Sequence, residues 1–386
     1  MKAKSIKGNS PLEIKAALQQ SMADNFKPTL AIVFLSVKQD RDAICKILDD
    51  AGIAIYGATT NGEFTEEGIT EGEVAVLLLD INLDYFTILF SEYPQKNYRE
   101  TTQAMAKKAL KKFAHPCFLI AGSNLNTDAE ELLHGFEDIL GKQVNVYGCM
   151  AGDDFTFKDN FVFTNNKESS NGIAAIVLDE DKISIKGRAT CGWNAVGTEK
   201  TVTKSIGNHV YTIDDTPVLD LVIKYGGLQN VTPENFAIEH SITLPLQLQR
   251  EWGDPVIRAA LVVDWDDRSY YCGGTVPQGS KVRFSLPPAF EVIDNVIKGC
   301  EELKATEMPE ADALILFSCA GRLISLGPLI SEEIEGVRKV WDVPMAGMFS
   351  NAELARATNG NLEMHGLTAC CVVLKEKAPP IAEKIT

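Results

Sequence analysis

YGATTNGEFT (Tyr56–Thr65) returns ninety-one residues later as YGCMAGDDFT (Tyr147–Thr156). Tyr, Gly, Phe and Thr keep their places, and an acidic residue precedes the Phe each time. A weaker third copy is AGMFSNAEL (Ala346–Leu354). Gly57 to Glu63, Gly148 to Asp154 and Gly347 to Glu353 are each six residues apart. One such match would be noise, so the decisive question is whether each sits in the same local order of elements.

It does. LAIVFLS (Leu30–Ser36) is a short apolar, β-branched run that reads as a buried strand. DRDAICKILDDAG (Asp40–Gly52) has helical spacing at Ile44, Ile47 and Leu48, with Gly52 as its stop. IAIYG (Ile53–Gly57) is a second strand leading into the turn, and VAVLLLD (Val74–Asp80) a third. The order recurs with CFLIAGS (Cys117–Ser123), DAEELLHGFEDILG (Asp128–Gly141), VNVYG (Val144–Gly148) and GIAAIVLD (Gly172–Asp179). A third pass runs through ALILFSC (Ala313–Cys319), SEEIEGVRKVW (Ser331–Trp341), VPMAG (Val343–Gly347) and GLTACCVVL (Gly366–Leu374). Between the second and third passes, residues 192–227 read as a twisted hairpin followed by a helix. Strands at Ala259–Trp265 and Gly273–Leu286 and a helix at Ala289–Leu303 follow, expected as a degenerate fourth half-unit. Upstream, Ser10, Pro11 and Glu13 form a capping box that opens a helix running to about Phe26.

Strands joined by helical crossovers are parallel, and ligands bind such sheets beyond the carboxyl ends of the strands. A hydroxyl ends each first strand (Ser36, Ser123, Ser318), and the turns contribute Gly57, Thr59 and Glu63, Gly148, Asp153 and Asp154, and Gly347 and Glu353. Glycine admits close backbone approach, and a carboxylate accepts from an amino group or pairs with a cation. These residues are the expected ligand contacts. The alternative is structural, with glycine serving a tight turn and the acid bonding loop amides. FSCAGR (Phe317–Arg322) adds Cys319 and Arg322 at the same edge. A guanidinium there forks onto a ligand carboxylate or else pairs with Glu332 or Glu333, and Cys319 is either a reactive or a packed thiol.

Composition narrows the function. The net charge of −16 opposes nucleic-acid binding, which needs clustered Lys and Arg, and it disfavours an anionic membrane surface. The densest basic run, KKALKK (Lys107–Lys112), has helical spacing and reads as a solvated face. Nine cysteines without a CxxC pair read as reduced thiols. With neither a signal peptide nor an 18-residue apolar run, a soluble cytoplasmic protein is expected. His115, His134, His209, His240 and His365 lie in no catalytic signature, and metal-ligand spacing is absent. An enzyme built on Cys319 is therefore the lesser alternative, and no metal is expected. The vicinal Cys370 and Cys371 lie on a strand and point to opposite faces.

YGATTNGE, residues 192–222, FSCAGR and VPMAGMFSNAELAR together resemble the FIST family, in both its N-terminal and C-terminal modules, over about Leu30 to Leu374. The resemblance implies a cytoplasmic sensory protein of signal transduction that binds a small ligand such as an amino acid. Some stand-alone members are similar to haem-binding nitric oxide sensors that act on a partner histidine kinase. Haem would be non-covalent, with His365 as first axial candidate and His209 and His240 next. MFSNAEL lacks the Gly that usually precedes the acid of the third turn, and MHGLT replaces an HN-type segment. No kinase, cyclase or methyl-accepting stretch occurs in the sequence, so output is expected to run through a separate protein.

The expected fold is α/β, with repeated strand–helix–strand units in mostly parallel or mixed sheets and two pseudo-related modules. Residues 1–24 would be a helix, 25–215 the N-terminal module, 216–376 the C-terminal module and 377–386 a polar tail. The ligand would bridge the modules and favour a closed arrangement.

Overall fold

The computed structural model describes residues 1–234, 236, 242, 244–286 and 289–378. Most of the tail expected at 377–386 lies outside them.

Three repeats build the body, each as a strand, a helix, a second strand, a second helix, a third strand, a short hairpin and a closing strand. The second and third strands are the parallel pair expected of a helical crossover: Leu30–Leu35 with Ala54–Thr59, Pro116–Gly122 with Val146–Met150, and Ala313–Cys319 with Met345–Ser350. The closing strand returns through a hairpin and so runs antiparallel to the first of that pair. Each sheet is therefore mixed.

Each repeat also begins with a strand beside its own closing strand: Lys2–Gly8, Phe86–Glu92 and Ile183–Thr190. Residues 1–24 thus supply a strand as well as the expected helix, Pro11–Ser21, whose cap Ser10 accepts from the Glu13 amide. Ile183–Thr190 pairs with Ala369–Glu376, so a ladder crosses the expected 215/216 boundary.

The hairpins are exchanged in a ring. Glu63–Thr65 of the first repeat pairs with Met345–Ser350 of the third. Ala352–Arg356 of the third pairs with Val146–Met150 of the second, and Val162–Phe163 of the second with Ala54–Thr59 of the first. Each of these three sheets is completed by a guest hairpin from another repeat.

The inner faces of the three sheets share one apolar core, including Phe34, Leu119 and Phe317. Phe34 and Phe317, at matching positions, meet edge to face at 5.8 Å. Helices cover each outer face, such as Ile14 and Ile44 over Val33, Leu132 over Ile120, and Val292 and Val337 over Leu316. Burying side chains of this size on both faces contributes about 1.5–3 kcal/mol each.

The described residues between 195 and 286 form a separate body inserted in the third repeat rather than a fourth half-unit. The helix Phe290–Thr306 that follows is the third repeat's own first helix. The inserted sheet curls until its two ends meet: Val256–Arg258 pairs with Leu246–Leu248, and the continuing Ala260–Asp264 pairs with Ser269–Cys272. This barrel has its own core, with Val202, Leu246, Tyr270 and Phe284, capped by the helix Val218–Gly226.

Candidate functional site

Backbone bonds link the three turns to one another, and the ring of exchanged hairpins explains how. The Asn61 amide donates to the Phe349 carbonyl at 2.9 Å, Gly152 to Thr59 at 2.8 Å, and Asn351 to Met150 at 3.0 Å. These bonds run in sequence around the three repeats. Asn61 Nδ2 adds a bond to Asn351 Oδ1, and Asn351 Nδ2 one to the Ala151 carbonyl.

The glycines serve this interlock. Phe163 stands opposite Gly57, Phe64 opposite Gly347, and Leu354 opposite Gly148. A Cβ on Gly57 would lie 2.1 Å from the Phe163 ring, and one on Gly347 would lie 2.0 Å from Phe64. A Cβ on Gly148 would meet the Ile120 carbonyl at 1.9 Å. A ligand's close approach was expected; at Gly57 and Gly347 a ring from another repeat comes close instead, and at Gly148 the Ile120 carbonyl of the same repeat. Thr59 belongs to the same lock, its hydroxyl donating to the Gly152 carbonyl and accepting from the Phe161 amide.

Register revises one expected correspondence. Leu35 pairs with Thr59, Gly122 with Met150, and Ser318 with Phe349. The residues one step on, Ser36, Ser123 and Cys319, are therefore equivalent. The third repeat carries a thiol where the others carry a hydroxyl, and Ser318 faces the opposite side of the sheet.

The polar groups of the first two corners are bonded internally, apart from Asp153 Oδ1. Ser36 Oγ donates to Asp154 Oδ2 at 2.6 Å, and Lys38 pairs with the same oxygen. Ser123 Oγ donates to the Ser169 carbonyl and accepts from the Gly172 amide. Glu63 takes the Thr60 hydroxyl on one oxygen and the Glu73 amide on the other. Burial pushes the Glu63 carboxyl up to about 7, with Asp154 adding to the rise. Asp153 Oδ2 is held by Thr156 and the Lys158 amide.

The third corner is not closed. Glu353 is wholly buried, and Ser350 donates to its Oε1 at 2.7 Å. Among the described residues, Glu353 Oε2 has no hydrogen-bond partner, and neither do Ser318 Oγ on the other side of the sheet, the Trp193 indole N–H, or Asp153 Oδ1 at the second corner. Burial holds the Glu353 carboxyl well above the usual carboxylate range and pushes the Cys319 thiol up to about 12. Buried polar atoms are almost always satisfied, so the open oxygen of Glu353 asks for a partner.

Arg322 does not face a crevice. Its side chain is buried and forks onto Glu333, with Nε to Oε1 at 3.0 Å and Nη2 to Oε2. Nη1 donates to the Cys191 and Leu367 carbonyls. The helix Ile330–Trp341 brings Glu333 beside the guanidinium, so the structural alternative named for this arginine is the one formed. Arg322 also lies 5.0 Å from the Trp193 ring, which ties the corner to the segment leading into the barrel.

Neither candidate histidine in the described residues fits haem. His365 is buried, its Nε2 bonds the Ala355 carbonyl, and burial lowers its pKa to about 4. The His209 ring is stacked between Tyr211 and Tyr271 at 4.0 and 3.9 Å, which bars a porphyrin plane crossing its edge. His240 lies outside the described residues.

Sequence reading missed Ser350 and Trp193 as parts of this corner, whereas Glu333 was named as one of two alternative partners of Arg322. Ser350 was legible in principle, since it falls three residues before the acid as Thr60 does. Trp193 reaches the site only through the fold. No described helix is long and apolar enough to cross a membrane.

No curated protein matches the chain in a sequence comparison. Family models do: the FIST N domain over residues 29–216 and the FIST C domain over residues 219–356. FIST domains are associated with the sensing of small ligands in signal transduction. These matches span most of the sequence, and the chain belongs to the FIST family.

Proposed function

We propose that this protein is a cytoplasmic small-ligand sensor whose ligand carries an amino group, as an amino acid does, and that the group is received by Glu353 at the third corner. One observation carries the reading: the buried Glu353 Oε2 has no partner, whereas both oxygens of its equivalent, Glu63, do. Burial disfavours the ionised form of this carboxyl, and an ammonium group facing it favours that form again. Small polar ligands are fixed by a few such convergent groups within apolar walls.

Trp193 and Arg322 stand between this corner and the inserted barrel, so ligand binding bears on how the barrel sits against the third repeat. The signal then passes to a separate protein, such as a histidine kinase, that reads the barrel's position. A full switch between two such arrangements needs about 5.5 kcal/mol of differential affinity. A ligand carboxylate clamped by Arg322 would first have to displace Glu333, which makes the amino end the recognised one.

Thermal-shift screening with amino acids, simple amines and small carboxylates tests this. An amino compound is expected to raise the midpoint in the wild type and in Glu63→Gln, but not in Glu353→Gln. Absence of any responding compound, or an unchanged response in Glu353→Gln, overturns it.

A further inference from the structure

The barrel carries a second chemical cluster, away from the corner. His209 opens the strand His209–Ile213, Asp264 closes Ala260–Asp264, and Asp267 lies in the turn before Ser269–Cys272. One ligand atom from each of the three lies within 4.8 Å of the others. We propose that His209, Asp264 and Asp267 bind a first-row divalent cation such as zinc or manganese.

The atoms already point at one place. Ser269 Oγ contacts His209 Nε2 and donates to Asp267 Oδ1, so imidazole and carboxylate share a single focus. Ladder pairing fixes the parts, with His209 opposite Tyr271 and Asp264 opposite Ser269. Tyr211 and Tyr271 clamp the two faces of the imidazole, so an ion would be met in the ring plane, at Nε2 in exchange for its bond to Ser269 Oγ. A stacked ring excludes haem but not a bare cation, because the metal lies in the plane of the imidazole.

Bond lengths of about 2.0–2.2 Å to nitrogen and oxygen put ligand atoms roughly 3–4 Å apart, so a modest inward turn closes the set. Asp267 is exposed and can make that turn, while the buried His209 is the fixed point. Arg268, the adjacent cation, is tied to Asp220 and does not neutralise the pair. One imidazole with two carboxylates suits zinc or manganese better than the all-oxygen sets preferred by calcium. Three protein ligands leave positions for water, with Ser269 placed to bond a ligand from outside, as supporting residues at metal sites do.

Cobalt(II) is the probe, because its visible d–d bands report coordination directly. The full chain titrated with cobalt is expected to develop these bands, and zinc is expected to abolish them by competition. Asp267→Asn, an exposed change that leaves the barrel core intact, should weaken binding at least tenfold, and His209→Gln should remove the bands. Absence of bands at millimolar cobalt, or equal affinity in Asp267→Asn and wild type, overturns the proposal. Equal affinity would mean adventitious surface binding.

Discussion

Phe64, on the strand that the first repeat lends to the third, lies directly opposite Gly347 and fills the space a side chain there would need. The motif glycine is thus the seat for a guest residue. Gly347→Ala places a Cβ 2.0 Å from the Phe64 ring. Forced displacement in a packed core costs about 1–3 kcal/mol, so the urea midpoint should fall with m unchanged. Gly366→Ala, where the nearest atom would be 3.9 Å away, is the control and should stay within experimental error of wild type. Equal midpoints for the two variants would show that the interlock does not depend on the glycine.

Arg322 and Glu333 are both wholly buried and fork onto each other. Arg322→Met leaves Glu333 buried without a partner, a change that costs about 3–5 kcal/mol. The double variant Arg322→Met, Glu333→Leu should recover most of that loss in chemical denaturation. If the single and double variants are equally unstable, the pair is not the main bond at this corner.

Ligand capture by Glu353 has a proton signature. Burial holds the free carboxyl well above the usual carboxylate range, and a bound ammonium group favours its ionised form again. Calorimetry in buffers of different ionisation enthalpy should therefore show protons released on binding. No release, with binding intact, would assign recognition to other groups.

Two buried groups give opposite slopes of stability with pH. Glu63 rises from 4.5 to about 7, so the folded state holds the proton more tightly. Its contribution is present below pH 4.5 and is lost as pH climbs toward 7, by up to about 3 kcal/mol. His365 falls from 6.5 to about 4, so its contribution is present above pH 6.5 and is lost as pH drops toward 4. Glu63→Gln should remove the first slope and leave the second. A denaturation profile between pH 4 and 8 that the substitution leaves unchanged would contradict the burial argument.

Cys319 is buried, and its thiol is pushed up to about 12. A thiolate is the reactive form, so iodoacetamide at pH 8 should label this residue only after denaturation, as peptide mass spectrometry would show. Rapid labelling of the native protein would reopen the reading of Cys319 as a nucleophile.

By itself, the sequence determined the repeat. Apolar strand runs, helix periodicity and the glycine-to-acid spacing are local, and each survives as an element in the structure. The opening strands Phe86–Glu92 and Ile183–Thr190 escaped notice because they are partly exposed, so no continuous apolar run marks them. The inserted barrel was legible as strands but not as a closed body, since closure depends on pairing across the bend at Ala259. Only the tertiary structure decided that hairpins are exchanged between repeats, that Cys319 rather than Ser318 matches Ser36, and that Arg322 is held by Glu333. Each of those is a pairing between distant segments, set by register and by which buried groups satisfy one another, and spacing along the chain carries no record of either.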